Sequence, residues 1–91
     1  MGNAAGLKAL RVLDNAERTL AIELLAGAQA IEFLAPLRPG EGVCAVHDVV
    51  RSLSDRLVED RSLSADIERV ATAIRSGAVL AAAESEVGVL A

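Results

Sequence analysis

The stretch AERTLAIELLAGAQAIEF, Ala16 to Phe33, decides the fold. It is too apolar for a helix lying alone on a surface. From Leu20 to Ala30 its apolar residues spread round most of the circumference, and a helix apolar nearly all round belongs inside a bundle. The pattern extends outward to residues 3–35, with apolar positions at Leu7, Leu10, Leu13, Leu20, Leu24, Ala28, Ile31 and Leu34. These steps of three, four and seven are helical spacing. There is no proline in the run and only two internal glycines, Gly6 and Gly27. Asn3 is a candidate N-cap. At about 1.5 Å per residue such a helix is roughly 45–50 Å long. That is too long for a compact monomer of 91 residues.

Pro36 and Pro39-Gly40 stop this helix and form a loop. A second helix is predicted over 42–58, with a seam of Val43, Val46, Val50, Leu53 and Leu57 at heptad-like steps. Its outer face carries Asp48, Arg51, Asp55 and Glu59, and Arg51 and Asp55 are spaced to pair across one turn. Glu59-Asp60-Arg61-Ser62 reads as a polar turn. Ser64 is the expected N-cap of a third helix over 64–76, with Asp66 and Glu68 in the first turn, where the helix dipole favours negative charge. Ile67, Val70, Ala71 and Ile74 share one face. Gly77 ends or kinks that helix, a fourth covers 78–86, and Val87–Ala91 is a tail. No strand alternation, internal repeat or low-complexity linker is present. The expectation is an all-α chain forming a single helical unit over 1–91: one long helix, then two or three shorter ones, as part of a larger helical bundle.

Composition narrows the function. The chain is 53% apolar but has a single aromatic, Phe33, with no Trp or Tyr. Its core must come from Leu, Val, Ile and Ala, which let helices approach closely without filling a wide interior. The formal charge is −4, and Lys8 is the only lysine. This argues against nucleic acid, whose phosphates demand a basic surface and whose exposed bases demand aromatics. Glu23 and Glu32 interrupt the best candidate for a membrane span. Cys44 is the only cysteine, so no intrachain disulfide forms. That fits a reducing compartment, and with no signal-peptide pattern at the N-terminus the expected location is cytoplasmic.

The chemistry-bearing residues are few. Cys44 and His47 lie three apart, close enough to meet as nucleophile and base or as two metal ligands. A metal needs more ligands than these, and no HxxxH or CxxC spacing supplies them, so a half-buried pair at the start of a helix is the ordinary reading. Glu23 and Gln29 sit in the most apolar part of the first helix. Buried there, they must be hydrogen-bonded, and interhelical bonds that fix register are favoured over catalysis. Asp14 and Arg18 are spaced for a surface pair. Asp60-Arg61 and Asp66 form either a charge cluster locking the second and third helices or, less in keeping with the absence of a convergent cleft, a carboxylate pair for acid–base work. The GEG at Gly40–Gly42 is a turn rather than a phosphate loop. The stripe Leu20, Leu24, Ala28 and Ile31, widened by Ala21, Ile22 and Leu25, is the candidate oligomer interface.

Three stretches, in this order, resemble the C-terminal end of the histidine ammonia-lyase family, the aromatic amino-acid ammonia-lyases with a self-made methylidene-imidazolone. They are Met1-Gly2-Asn3-Ala4-Ala5, Leu20-Ala21-Ile22-Glu23-Leu24-Leu25-Ala26 with Gln29-Ala30, and Glu59-Asp60-Arg61 with Asp66-Ile67-Glu68. The resemblance implies a piece of a tetrameric all-α enzyme that converts L-histidine to urocanate and ammonia. It also places Met1 inside a longer protein, just after the active-site loop, with Met1–Ala5 nearest the catalytic pocket. The family's electrophile forms from Ala-Ser-Gly, and its sites use a Gln-Glu-Asp loop and a tyrosine. This sequence contains none of these. No catalytic, cofactor-binding or metal-binding residue therefore carries over, and the implied role is a helical scaffold that associates with itself or with the rest of its parent. The same segment of a tyrosine or phenylalanine ammonia-lyase or aminomutase, and a standalone self-associating helical module, remain alternatives.

Overall fold

The computed structural model describes residues 2–90; Met1 and Ala91, the ends of the unit and of the tail expected above, lie outside the described residues. Four helices follow in order: α1 (Gly2–Phe33), α2 (Glu41–Leu53), α3 (Ser64–Arg75) and α4 (Ala78–Val87). Among the described residues there is no strand, so the all-α expectation holds. None of the helices is long and apolar enough to cross a membrane.

The helix ends depart from the sequence reading for identifiable reasons. α1 already includes Gly2, so Asn3 lies inside the helix rather than capping it. Its far end falls at Phe33 instead of residue 35. Leu34 and Ala35 donate their N–H groups to Ile31 and Glu32, a tighter last turn ahead of Pro36, which has no N–H to continue the helix. α3 takes Leu63 as its N-cap: the Leu63 carbonyl accepts from Ile67 N at 2.8 Å. Ser64 is thus the first helical residue and makes no cap bond. Gly77, at φ +84, ends α3 as expected, in a left-handed conformation that glycine adopts without penalty. Val87 remains helical, and the Leu90 N–H folds back to Glu84 Oε2 at 2.7 Å.

The largest correction is α2, which stops at Leu53 rather than 58. Ser54 is extended, at φ −150 and ψ 122. The backbone groups that a longer helix would use internally are claimed by side chains from elsewhere. Arg69 Nε donates to Leu53 O at 2.6 Å, Arg51 Nη1 to Ser54 O at 3.1 Å and Arg61 Nη2 to Asp55 O at 2.7 Å. Gln29 spans Leu57 in both directions, donating to its carbonyl at 2.9 Å and accepting from its N–H at 3.2 Å. The expected seam therefore survives through Val50 and Leu53 but not to Leu57. The predicted Arg51–Asp55 pair is not made, since Asp55 has left the helix.

Packing is thin. α3 lies mainly on α1 and α4 mainly on α2, while α1 and α2 touch less. The buried cluster is Ala21, Val70 and Ala71, bordered by Leu24, Leu25, Leu53, Ile67 and Ile74. The alanines let α1 and α3 approach closely. Gly42 does the same for α2 and α4, because a Cβ there would lie 3.1 Å from Val87 Cγ1. The result is a slab of 55 × 37 × 17 Å, not much thicker than a helix of about 10–12 Å. Leu7, Leu10, Val12 and Leu13 all remain exposed.

Asp66 ties the slab together. It is 3% exposed and sits in the first turn of α3. Its carboxylate accepts from the Ser54 hydroxyl, from Arg61 Nη1 at 2.9 Å and from Arg69 Nη2 at 3.0 Å. The Ser54 and Arg61 hydrogen bonds hold its pKa below the usual carboxylate value against the opposing effect of burial. The predicted charge cluster therefore forms around Arg61 and Asp66, whereas Asp60 is exposed and makes none of these bonds. Asp66→Asn, which removes the charge and unbalances three donors, is expected to lower stability in urea unfolding by roughly 1–3 kcal/mol. Asp60→Asn is expected to stay within about 0.5 kcal/mol.

Candidate functional site

The end of α1 and the middle of α2 meet through a second carboxylate. Glu32 closes the last full turn of α1 on the same side as α2. It accepts two bonds from Arg51, Nε to Oε2 at 2.7 Å and Nη2 to Oε1 at 2.9 Å. His47 Nε2 lies 2.9 Å from the same Oε2. His47 and Arg51 are one turn apart on α2, so one carboxylate reaches both. The fork geometry of the guanidinium suits this two-point contact. On its other side, His47 Nδ1 lies 3.7 Å from Asp48 Oδ1. Arg51 is the largest cause of the lowered Glu32 pKa, which falls to about 2, with His47 adding to the effect and desolvation opposing it.

This geometry separates Cys44 from His47. The Cys44 thiol donates to Pro39 O at 3.4 Å, and Arg38 Nη2 lies 3.9 Å from its sulfur. His47 turns instead to Glu32. The two side chains allowed by their spacing to meet are each engaged elsewhere, and no group of three or more metal-ligating side chains assembles among the described residues. Neither Glu32 nor Ser54 was assigned to a cluster from the sequence. Glu32 was visible only as a charge inside an apolar run. The spacing of His47 and Arg51 was the one signal that a shared acceptor faces them.

The other candidate positions fall as follows. Gln29 is hydrogen-bonded as its setting requires, but to the backbone of Leu57 in the segment after α2 rather than to another helix as expected, while Glu23 is exposed and needs no partner. Arg18 pairs with Asp14 at 2.7 Å as expected and also reaches Glu68 on α3 at 2.8 Å. Arg75 joins the same lattice through Glu17 at 2.8 Å and Asp14 at 3.3 Å. Glu17 is buried in the α1–α3 contact, and sequence reasoning passed over it. Of the apolar stripe, Leu20 is 49% exposed and Ala28 is 4% exposed. Leu24 packs against the chain's own core, and Ile31 is half-buried. Beside this stripe, α1 and the 54–63 segment bound an open groove of about 440 Å³. What the arrangement does chemically is hold helices: every buried side-chain nitrogen and oxygen among the described residues has a partner.

The Glu32 pairing has a pH signature. A carboxylate whose pKa falls from its ordinary 4.5 to about 2 on folding adds stability that is complete above the unfolded value and is lost as pH drops through the folded one. Glu32→Gln is expected to flatten the stability–pH profile between about pH 4.5 and 2, removing up to about 1.4 kcal/mol per pH unit for one proton. Urea unfolding followed by circular dichroism at stepped pH measures this.

Comparison with known proteins bears on the same helices. The model of the aromatic amino acid lyase family matches residues 1–52, covering α1 and nearly all of α2. The histidine ammonia-lyase of Sorangium cellulosum is 43% identical over 90 residues, 99% of this chain and 18% of the relative. Those of Myxococcus xanthus and Koribacter versatilis are 46% and 44% identical over 85 residues, 93% of this chain in each case and 17% and 16% of the relatives. The chain thus spans less than a fifth of the length of the curated relatives it matches. No solved structure matches it. With the family model covering 52 of 91 residues and such relatives aligning along nearly all of it, the chain belongs to the aromatic amino acid lyase family, among the histidine ammonia-lyases.

Proposed function

We propose that the chain is the C-terminal helical scaffold and oligomerisation segment of a cytoplasmic histidine ammonia-lyase acting in histidine catabolism, and that it is inert by itself. The observation that carries this reading is a combination. Identity of 43–46% extends along nearly the whole chain, yet its buried polar side chains are spent on internal hydrogen bonds that hold helices together. The methylidene-imidazolone implied by the family arises from Ala-Ser-Gly, which this sequence lacks. These residues do not form that group, and no catalytic step is assigned to them. Glu32, Asp66 and Gln29 fix how α1, α2 and α3 meet.

The oligomerisation part of the proposal rests on α1. Leu20 keeps apolar surface outward, Ile31 does so only in part, and Leu7, Leu10 and Leu13 extend it beyond the reach of α3. Leaving such surface in water costs roughly 25 cal/mol per Å², and contiguous apolar patches mark interfaces. The partners supported by this surface are other copies and the rest of the parent enzyme. Within the stripe, Leu24 and Ala28 also serve the chain's own core, so Leu20 is the position that tests association without unfolding.

Replacing the matching 90 residues of the Sorangium cellulosum enzyme with this chain is expected to give a protein that forms urocanate, followed by its ultraviolet absorbance, within about tenfold of the parent rate. The 91-residue chain alone is expected to form none. A folded chimera without activity, or turnover by the chain alone, would contradict the proposal. In light scattering the chain is expected to run as a dimer or tetramer, and Leu20→Asp to weaken association tenfold or more while circular dichroism keeps its helical content.

A further inference from the structure

Residues 54–58, Ser-Asp-Arg-Leu-Val, leave α2 although they hold no proline or glycine to end it. Leu57 falls seven residues after Val50 and four after Leu53, on the same helical face. What keeps the segment off the helix is a set of latches from other elements. Two come from α1: Gln29 bonds both backbone groups of Leu57, and the Arg56 guanidinium lies 5.7 Å from the centroid of the Phe33 ring. The others centre on Asp66. Its carboxylate accepts from the Ser54 hydroxyl, Arg61 and Arg69, and the same two arginines donate to Asp55 O and Leu53 O. Arg51 completes the set by donating to Ser54 O.

The carbonyls occupied by these side chains are the ones a longer α2 would use. Continued to Val58, the helix pairs Leu53 O with Leu57 N–H, Ser54 O with Val58 N–H and Asp55 O with Glu59 N–H. It also brings Asp55, exposed in the present arrangement, within one turn of Arg51. The charge on Asp66 decides between the two arrangements. Arg61 and Arg69 are the charged groups that reach it, Ser54 is its neutral donor, and α1 and α4 supply none of its bonds. Hydrogen bonds to an ionised carboxylate are about twice as strong as those to a neutral acceptor. Without that charge the two arginines, whose side chains are 36% and 49% exposed, are free to turn to water. Asp55 O and Leu53 O then lose their donors, and the N–H groups of the helix replace them. We propose that Ser54–Val58 is a charge-gated strap, held off the helix while Asp66 is ionised and folding onto the end of α2 when Asp66 is neutralised, so that Leu57 leaves Gln29 and Arg56 leaves Phe33. The Ser54 and Arg61 bonds hold the Asp66 pKa below the ordinary carboxylate value. The strap is therefore latched at neutral pH and is released as pH falls through that lowered value. The device is internal to the chain and independent of the parent enzyme.

Nuclear magnetic resonance of Asp66→Asn in the 91-residue chain at neutral pH tests the gate. The expected result is helical Cα shifts and i,i+3 contacts running unbroken from Val50 to Val58, with the Gln29 side-chain amide exchanging faster with water than in the unaltered chain. Residues 54–58 that turn disordered overturn the proposal, since Asp66 then only stabilises. Unchanged shifts overturn it too, since Asp66 then does not gate. Gln29→Ala is the companion variant: with Asp66 ionised, the strap is expected to stay non-helical. A helix through Val58 in that variant places the control at Leu57 and refutes the role of Asp66. Should Asp66→Asn fail to fold, Ser54→Ala combined with Arg61→Ala cuts the bonds from the strap and the turn to the carboxylate while leaving Asp66 its Arg69 partner. The same helical shifts at residues 54–58 are then expected, and coil shifts there overturn the proposal.

Discussion

A buried carboxylate cannot remain ionised unless donors surround it, and Asp66 imposes that demand on the whole chain. Its donors come from the end of α2, the turn before α3 and α3 itself: Ser54, Arg61 and Arg69. To reach Asp66, Ser54 must be extended, and α2 must stop at Leu53. The two arginines that satisfy the carboxylate also bind the freed carbonyls of Leu53 and Asp55. The same network thus ends one helix, anchors the next and accounts for the polar backbone between them, as buried backbone groups require.

Glu32 does a parallel job at the other contact. α1 and α2 share little apolar surface, and the bidentate Arg51 bond with His47 beside it fixes their approach. The α1–α3 contact combines both devices, with Ala21 against Val70 and Ala71 inside and the Asp14–Glu17–Arg18–Arg75–Glu68 lattice outside. With Ala and Val in place of aromatics, the core is too small to define the geometry alone. Directional ionic bonds supply the rest, while apolar surface on α1 is left for partners.

The helix order was legible in the sequence because period and breakers agree. Pro36, Pro39-Gly40 and Gly77 sit where the chain leaves helical conformation, and the apolar steps between them have one reading. Gln29 was legible as a polar group that must be hydrogen-bonded, though its partner in the segment after α2 was not, and Arg61 with Asp66 was legible as a lock, because their surroundings left few other uses for them. The end of α2 was not legible. Residues 54–58 carry no local breaker, and Leu57 continues the heptad; only distant groups at Gln29, Arg61 and Asp66 overrule that pattern. Arg51 was assigned to Asp55 by spacing, but Glu32 offered it a two-point contact at less cost in exposure. Cys44 and His47 looked like a pair for the same reason, since spacing records which residues are able to meet and not which partners compete for them.

The central claim is that tertiary bonds around Asp66, rather than local propensity, end α2 and shape the segment that follows. Backbone chemical shifts and amide exchange of Ser54–Val58 in the isolated chain test it most directly. The account predicts extended shifts at Ser54 and a Leu57 amide that exchanges slowly because Gln29 accepts from it. Helical shifts continuing through Val58, with the Leu57 amide protected as part of an uninterrupted helix, would contradict it.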